Sequence, residues 1–131
     1  MKKRRLLVIL SLIMATCMLL CFAACGEQAF YRCDEMVSVT IGEGATSIGI
    51  RAFGSCYSLE GVTIPSSVTE IKYAAFSRCS NLESVIFENP NGWSAMYREQ
   101  AVQLDSAELS DSAKATEYLK ETYSNYAWTR E

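Results

Sequence analysis

Six cysteines and an absence of histidine bound the chemistry open to this 131-residue chain. Without histidine no Ser-His-Asp triad, Cys-His pair or imidazole metal site can be built. Carboxylates could still act as general acid and base, and Asp34-Glu35 and Glu108 with Asp111 are the available pairs. Such pairs on a charged surface read as solvated, and there is no glycine-rich phosphate loop. The chain is therefore expected to be no enzyme and to carry no cofactor. Cys17 and Cys21 lie in an apolar N-terminal run, and Cys25 follows two small residues. Cys33, Cys56 and Cys79 are spaced 23 apart. Side chains one repeat apart in stacked coils lie parallel at about 4.8 Å, whereas a disulfide needs Cβ atoms facing each other at about 3.8 Å. A column of small buried hydrophobes is the expectation. With no close cysteine pair and no histidine, a zinc site is not expected.

The same period governs the elements that place these residues. Met36–Ser58 and Leu59–Asn81 align over 23 positions with eight identities: Val39/Val62, Thr40/Thr63, Ile41/Ile64, Thr46/Thr69, Ile48/Ile71, Ala52/Ala75, Phe53/Phe76 and Cys56/Cys79. Leu82, Ser84, Val85 and Phe87 open a further copy, and Ala29, Phe30 and Cys33 end an earlier one. A fixed period of this length means stacked units that share one core. Within a unit, Leu59, Val62 and Ile64 around Thr63 alternate as a strand does, and Pro65-Ser66-Ser67 ends it. Ala74-Ala75-Phe76 reads as a helical turn. Gly42-Glu43-Gly44-Ala45, standing where the second copy has Pro-Ser-Ser-Val, should make a looser turn over a thinner core.

The pattern Leu59-x-x-Val62-x-Ile64-Pro65-x-x-Val68-x-x-Ile71-x-x-x-Ala75-Phe76-x-x-Cys79 resembles the BspA-type leucine-rich repeat of bacterial surface proteins. The resemblance implies an α/β fold: a short leucine-rich-repeat solenoid of parallel strands and short helical turns with a 23-residue period, closed by a C-terminal helical cap. Residues 37–41, 60–64 and 83–87 should pair in parallel, with Val39, Val62 and Val85 in one column and Phe30, Phe53 and Phe76 in another. It also implies a non-catalytic role in attachment to, or recognition of, proteins or glycans.

Lys2, Lys3, Arg4 and Arg5 precede a chargeless apolar run from Leu6 to Ala24, the order of a secretory signal. Phe22-Ala23-Ala24-Cys25-Gly26 resembles the bacterial lipobox, with phenylalanine where leucine is commonest. That likeness implies cleavage after residue 24 and lipid attachment at Cys25. The other reading is an uncleaved anchor, since 19 apolar residues are just enough to span a bilayer. Either way the remainder lies outside the cytoplasm. Cleavage removes four of the 12 basic residues, leaving eight against 15 acidic ones, a side-chain net of −7. Such a protein is not expected to bind nucleic acid, and anionic lipid would repel it, so the acyl chain must hold it at the membrane.

After Phe87 the repeat stops at the turn cluster Asn89-Pro90-Asn91-Gly92. Ala101–Leu104 reads as a last short strand. Ser110 reads as an N-cap, with Asp111 in the first turn of one helix bearing Ala115, Tyr118, Leu119 and Thr122 on one face. Asn89–Trp93 and the aromatic ending through Trp128 are similar to the segment that closes many BspA-type arrays. The expected organisation is a leader over 1–24, repeats over 25–88 (two full, two partial) and a capping segment over 89–131. Ser38, Thr40, Thr63, Ser84 and Ile86 are the strand positions expected to face a ligand. The alternatives are an envelope module that stacks on itself or on another repeat protein, and a shortened remnant of a larger adhesin.

Overall fold

The computed structural model describes residues 26–131, so the leader expected over 1–24 and the lipid site Cys25 lie outside the described residues. Strands β1 (Ser38–Thr40), β3 (Gly61–Ile64) and β5 (Ser84–Phe87) form a three-stranded sheet in the order β1-β3-β5. All its pairs are parallel, in a register that puts Val39 beside Val62 and Val62 beside Val85. The 23-residue period thus sets both the pairing and the column. Along β3 and β5 the alternation puts Val62, Ile64, Val85 and Phe87 inward and leaves Ile86 exposed.

A second sheet was not anticipated. Short strands β2 (Ser47–Ile48) and β4 (Glu70–Ile71) pair in parallel, Ile48 on Ile71. Two residues are too few to show a period of two. The first copy's turn is no looser than the second's: Ala45 N–H reaches Gly42 O at 2.9 Å, much as Val68 N–H reaches Pro65 O at 3.1 Å, and both side chains are buried.

The helical turn expected at Ala74–Phe76 is absent, and the reason lies in the backbone. Gln28, Arg51 and Ala74 share a left-handed φ of 50–57°, and Arg32, Ser55 and Arg78 one of 59–63°. Both sets step by 23. A right-handed helix cannot run through such positions. Alternate N–H groups bond the following coil instead: Phe30 to Ala52 O and Arg32 to Gly54 O, then Phe53 to Ala75 O and Ser55 to Ser77 O, at 2.8–2.9 Å. A helix would direct these donors back along its own turn and leave the coils uncoupled. Held this way, the rings stack at 5.3 Å for Phe30–Phe53 and 5.1 Å for Phe53–Phe76, within 12° of parallel.

The C-terminal segment is more β-rich than the sequence implies. β6 (Trp93–Tyr97) and β7 (Gln100–Gln103) form an antiparallel hairpin, and β8 (Ala127–Arg130) lies antiparallel between β4 and β6. The second sheet is therefore mixed, ordered β2-β4-β8-β6-β7. Gly92 turns into β6 with φ 76°, and a Cβ there would lie 2.7 Å from Glu131 O. Instead of one helix there are α1 (Ser106–Ser110), α2 (Ser112–Glu117) and a π-helical turn at Tyr118–Thr122. Ser110 ends α1, and Asp111 is the N-cap of α2, its carboxylate accepting from Ala113 and Lys114 N–H. A carboxylate outcompetes the hydroxyl one residue earlier because it also meets the helix dipole. The π turn rotates the expected face, so Ala115 and Leu119 are buried while Thr122 is exposed.

Besides the pairing of β8 with β4, side-chain contacts join this segment to the repeat. Val85 N–H donates to Thr116 Oγ1 at 3.0 Å, satisfying a buried donor on the outer edge of β5. Phe87, Trp93 and Trp128 pack together, with Phe87 stacked on Trp128 at 5.9 Å. Each indole N–H finds a carbonyl, Trp93 at Asn89 O and Trp128 at Tyr123 O.

Candidate functional site

The outward face of the β1-β3-β5 sheet carries two rows across the strands, Ser38-Gly61-Ser84 and Thr40-Thr63-Ile86. Ser38 and Thr40 are exposed, Thr63 and Ser84 are half-buried, and Ile86 is 50% exposed. At the last strand α2 reaches this face, with Ser84 Oγ 3.2 Å from Ser112 Oγ. Gly61 leaves the middle of its row without a side chain. None of the five named side chains can titrate near neutral pH, so the face offers hydroxyls, backbone and one apolar anchor.

The three cysteines of the described chain are free thiols, and they do more than fill space. Cys56 Sγ donates to Phe30 O and Cys79 Sγ to Phe53 O, each at 3.1 Å and each into the preceding coil. Those carbonyls also accept the N–H of the cysteine in their own coil, so both lone pairs are used. Burial pushes the Cys56 thiol up to about 11 and that of Cys79 up to about 12. Burial and then Asp34 raise that of Cys33. Protonated thiols of this kind are donors, not nucleophiles. The sequence held a signal for these bonds, a phenylalanine and a cysteine three apart in three successive copies.

The carboxylates serve local structure. Glu108 Oε2 accepts from the Tyr118 hydroxyl at 2.7 Å, and that bond comes first among the causes pushing Tyr118 up to about 12. Asp111 caps α2, while Asp34 and Glu35 are exposed. Among the described residues no three His, Cys, Asp or Glu side chains come together as a metal site would require, and no helix is long and apolar enough to cross a membrane.

The structure contains a cleft of about 290 Å³ that the sequence reading missed, lined by Tyr31, Arg51, Ser55, Ser77, Arg78 and Asn125. Apart from Asn125, its residues sit on or beside the left-handed turns, where no helical or strand period marks them.

Strands recurring every 23 residues in parallel, with inward aliphatic and aromatic columns, define a leucine-rich-repeat protein. The chain belongs to the BspA type leucine rich repeat region family, six copies of which match over residues 22–117. The match extends past Phe87 into α2. Among solved structures it is similar to the T. pallidum leucine rich repeat protein, at 29% identity and a TM-score of 0.50, over 52% of this chain and 32% of that one. The chain thus corresponds to about a third of that relative's length. No curated protein matches it. Proteins of this repeat class are generally non-enzymatic binding scaffolds.

Proposed function

We propose that the chain is a non-catalytic extracytoplasmic lipoprotein, held at a membrane through Cys25, whose short repeat solenoid presents a surface to a protein or glycan. The observation that carries this reading is the outward face of β1-β3-β5, a neutral patch of hydroxyls around one exposed isoleucine. In this reading the segment after Asn89 is a cap; the bond from Val85 to Thr116 and the pairing of β8 with β4 support that role. Three strands about 4.8 Å apart, each exposing about three residues at ~3.3 Å, cover roughly 150 Å². A stable partner needs about 800 Å². Recognition then depends on many anchored copies, since linked weak contacts gain about 10²–10⁴ in avidity.

The test has two arms. Cys25→Ala should abolish fatty-acid labelling and leave unprocessed precursor. The chain clustered on beads should bind isolated cell envelopes while the monomer binds weakly. Full labelling of Cys25→Ala removes the anchor from the proposal, and nanomolar binding by monomer removes the need for clustering.

One observation favours a second reading, stacking on another copy. Among the described residues β1 has no strand on its outer edge, the Phe30 ring is stacked on Phe53 alone, and Val37 is 44% exposed. Mass that grows with concentration in light scattering would support it; a monomer at all concentrations would remove it.

A further inference from the structure

Charge is segregated along each repeat. The turn segments 28–33, 49–58 and 72–81 carry Arg32, Arg51, Lys72 and Arg78 and no carboxylate. The strand-bearing segments 34–48, 59–71 and 82–88 carry seven carboxylates and no cation. An acidic chain therefore keeps half of the eight cations of its described residues on its turn side. The 290 Å³ cleft lies on that side, and two of these cations, Arg51 and Arg78, line it. The ion pairs among the described residues are Lys72–Glu70 and Lys114–Glu117, so neither arginine has a carboxylate partner there.

A second observation points into the same cleft. Ser55 is 3% exposed and lines it. Its N–H donates to Ser77 O at 2.8 Å, which fixes the turn that carries its hydroxyl. The floor is kept open at Gly54, where a Cβ would lie 3.2 Å from both Tyr31 Cδ2 and Arg51 Cβ. Tyr31, 42% exposed, forms a flat wall beside it.

We propose that this cleft binds an acidic sugar residue, its carboxylate or sulfate held by the Arg51 and Arg78 guanidinium groups and its hydroxyls by Ser55, Ser77 and Asn125. Guanidinium forks match the planar geometry of an oxyanion and make charge-assisted bonds with it. Neutral donors and acceptors beside them suit a polyhydroxylated ring, and an amphipathic tyrosine face suits its less polar side. A membrane surface fits less well, because the site is concave and the one aliphatic side chain in its lining is the short Ala74. The inference rests on the recognition reading above but places a ligand on a different face.

Binding of a heparin hexasaccharide to the full-length chain in nonionic micelles, followed by titration calorimetry, tests it. Affinity should fall with added salt. Arg51→Gln and Arg78→Gln should each weaken binding about tenfold or more, whereas Arg98→Gln, an equal charge change outside the cleft, should leave it intact. Ser55→Ala keeps both guanidinium groups and should weaken binding several-fold, which serves if the arginine variants do not fold. Absence of heparin binding, an equal loss with Arg98→Gln, or full affinity in Ser55→Ala overturns the proposal. Displacement by inorganic sulfate at equal sulfate concentration overturns the sugar assignment. Binding of anionic phospholipid vesicles through Arg51 and Arg78 in place of heparin overturns it in favour of a membrane. A negative heparin result leaves the bead experiment standing, because that one reads the strand face.

Discussion

At the scale of single residues, the phenylalanine and cysteine columns tie each coil to the next. Phe76 is almost fully buried and stacked on Phe53, so Phe76→Ala should cost about 3–5 kcal/mol. In so small a domain that loss should appear as unfolding at room temperature in near-ultraviolet circular dichroism. The thiols give a pH-dependent prediction. An unfolded cysteine titrates near 9.0, and folding raises Cys56 to about 11 and Cys79 to about 12. Above pH 9 the unfolded chain therefore releases protons that the folded chain still holds. Stability should be fully present below pH 9 and fall progressively through the two folded values. At pH 8 iodoacetamide should modify Cys33, which is half-buried, before Cys56 and Cys79, and peptide mass spectrometry reads the order directly. Early labelling of Cys79 would mean that the last coil opens locally.

At the scale of elements, the critical junction is the outer edge of β5. A parallel strand there would expose donors that only a further coil could satisfy. α2 substitutes for that coil at one point, through Thr116 Oγ1, which itself donates to Ser112 O at 2.6 Å. Thr116→Val keeps the shape but leaves the Val85 N–H buried and unpaired. It should cost about 1–3 kcal/mol, read as a lower urea midpoint at unchanged slope. Thr116→Ser retains the hydroxyl and should recover most of that loss. The short α2 is placed by Asp111 and by this bond more than by its own length, since isolated helices of so few residues are unstable.

At the scale of the whole molecule, the repeats and the C-terminal segment share one core. Phe87 belongs to β5 yet packs on Trp93 and Trp128, and Ile71 of β4 pairs with Trp128 of β8. A chain ending at Asn91 should therefore lose cooperative folding, with no sigmoidal thermal transition in circular dichroism; a sharp transition would show that the coils stand alone. The sequence alone determined the repeat, its period, the parallel register of β1, β3 and β5 and the valine and phenylalanine columns. Residues one period apart must occupy equivalent places, and their side chains state which of those places are inside. What it did not determine was set by partners distant along the chain. The turn at Ala74-Ala75-Phe76 reads as helical because Ala-Ala-Phe favours a helix locally, yet hydrogen bonds to the neighbouring coil hold the equivalent turns with left-handed residues in them. β8 has little alternation of its own and becomes a strand because β4 and β6 leave a gap between them. The cleft joins Tyr31, Arg51, Ser55 and Arg78 with Asn125 from the far end of the chain, a meeting that no local pattern encodes. Periodicity fixes what one coil repeats from the next; only tertiary packing decides how the stack ends and which unlike residues meet across it.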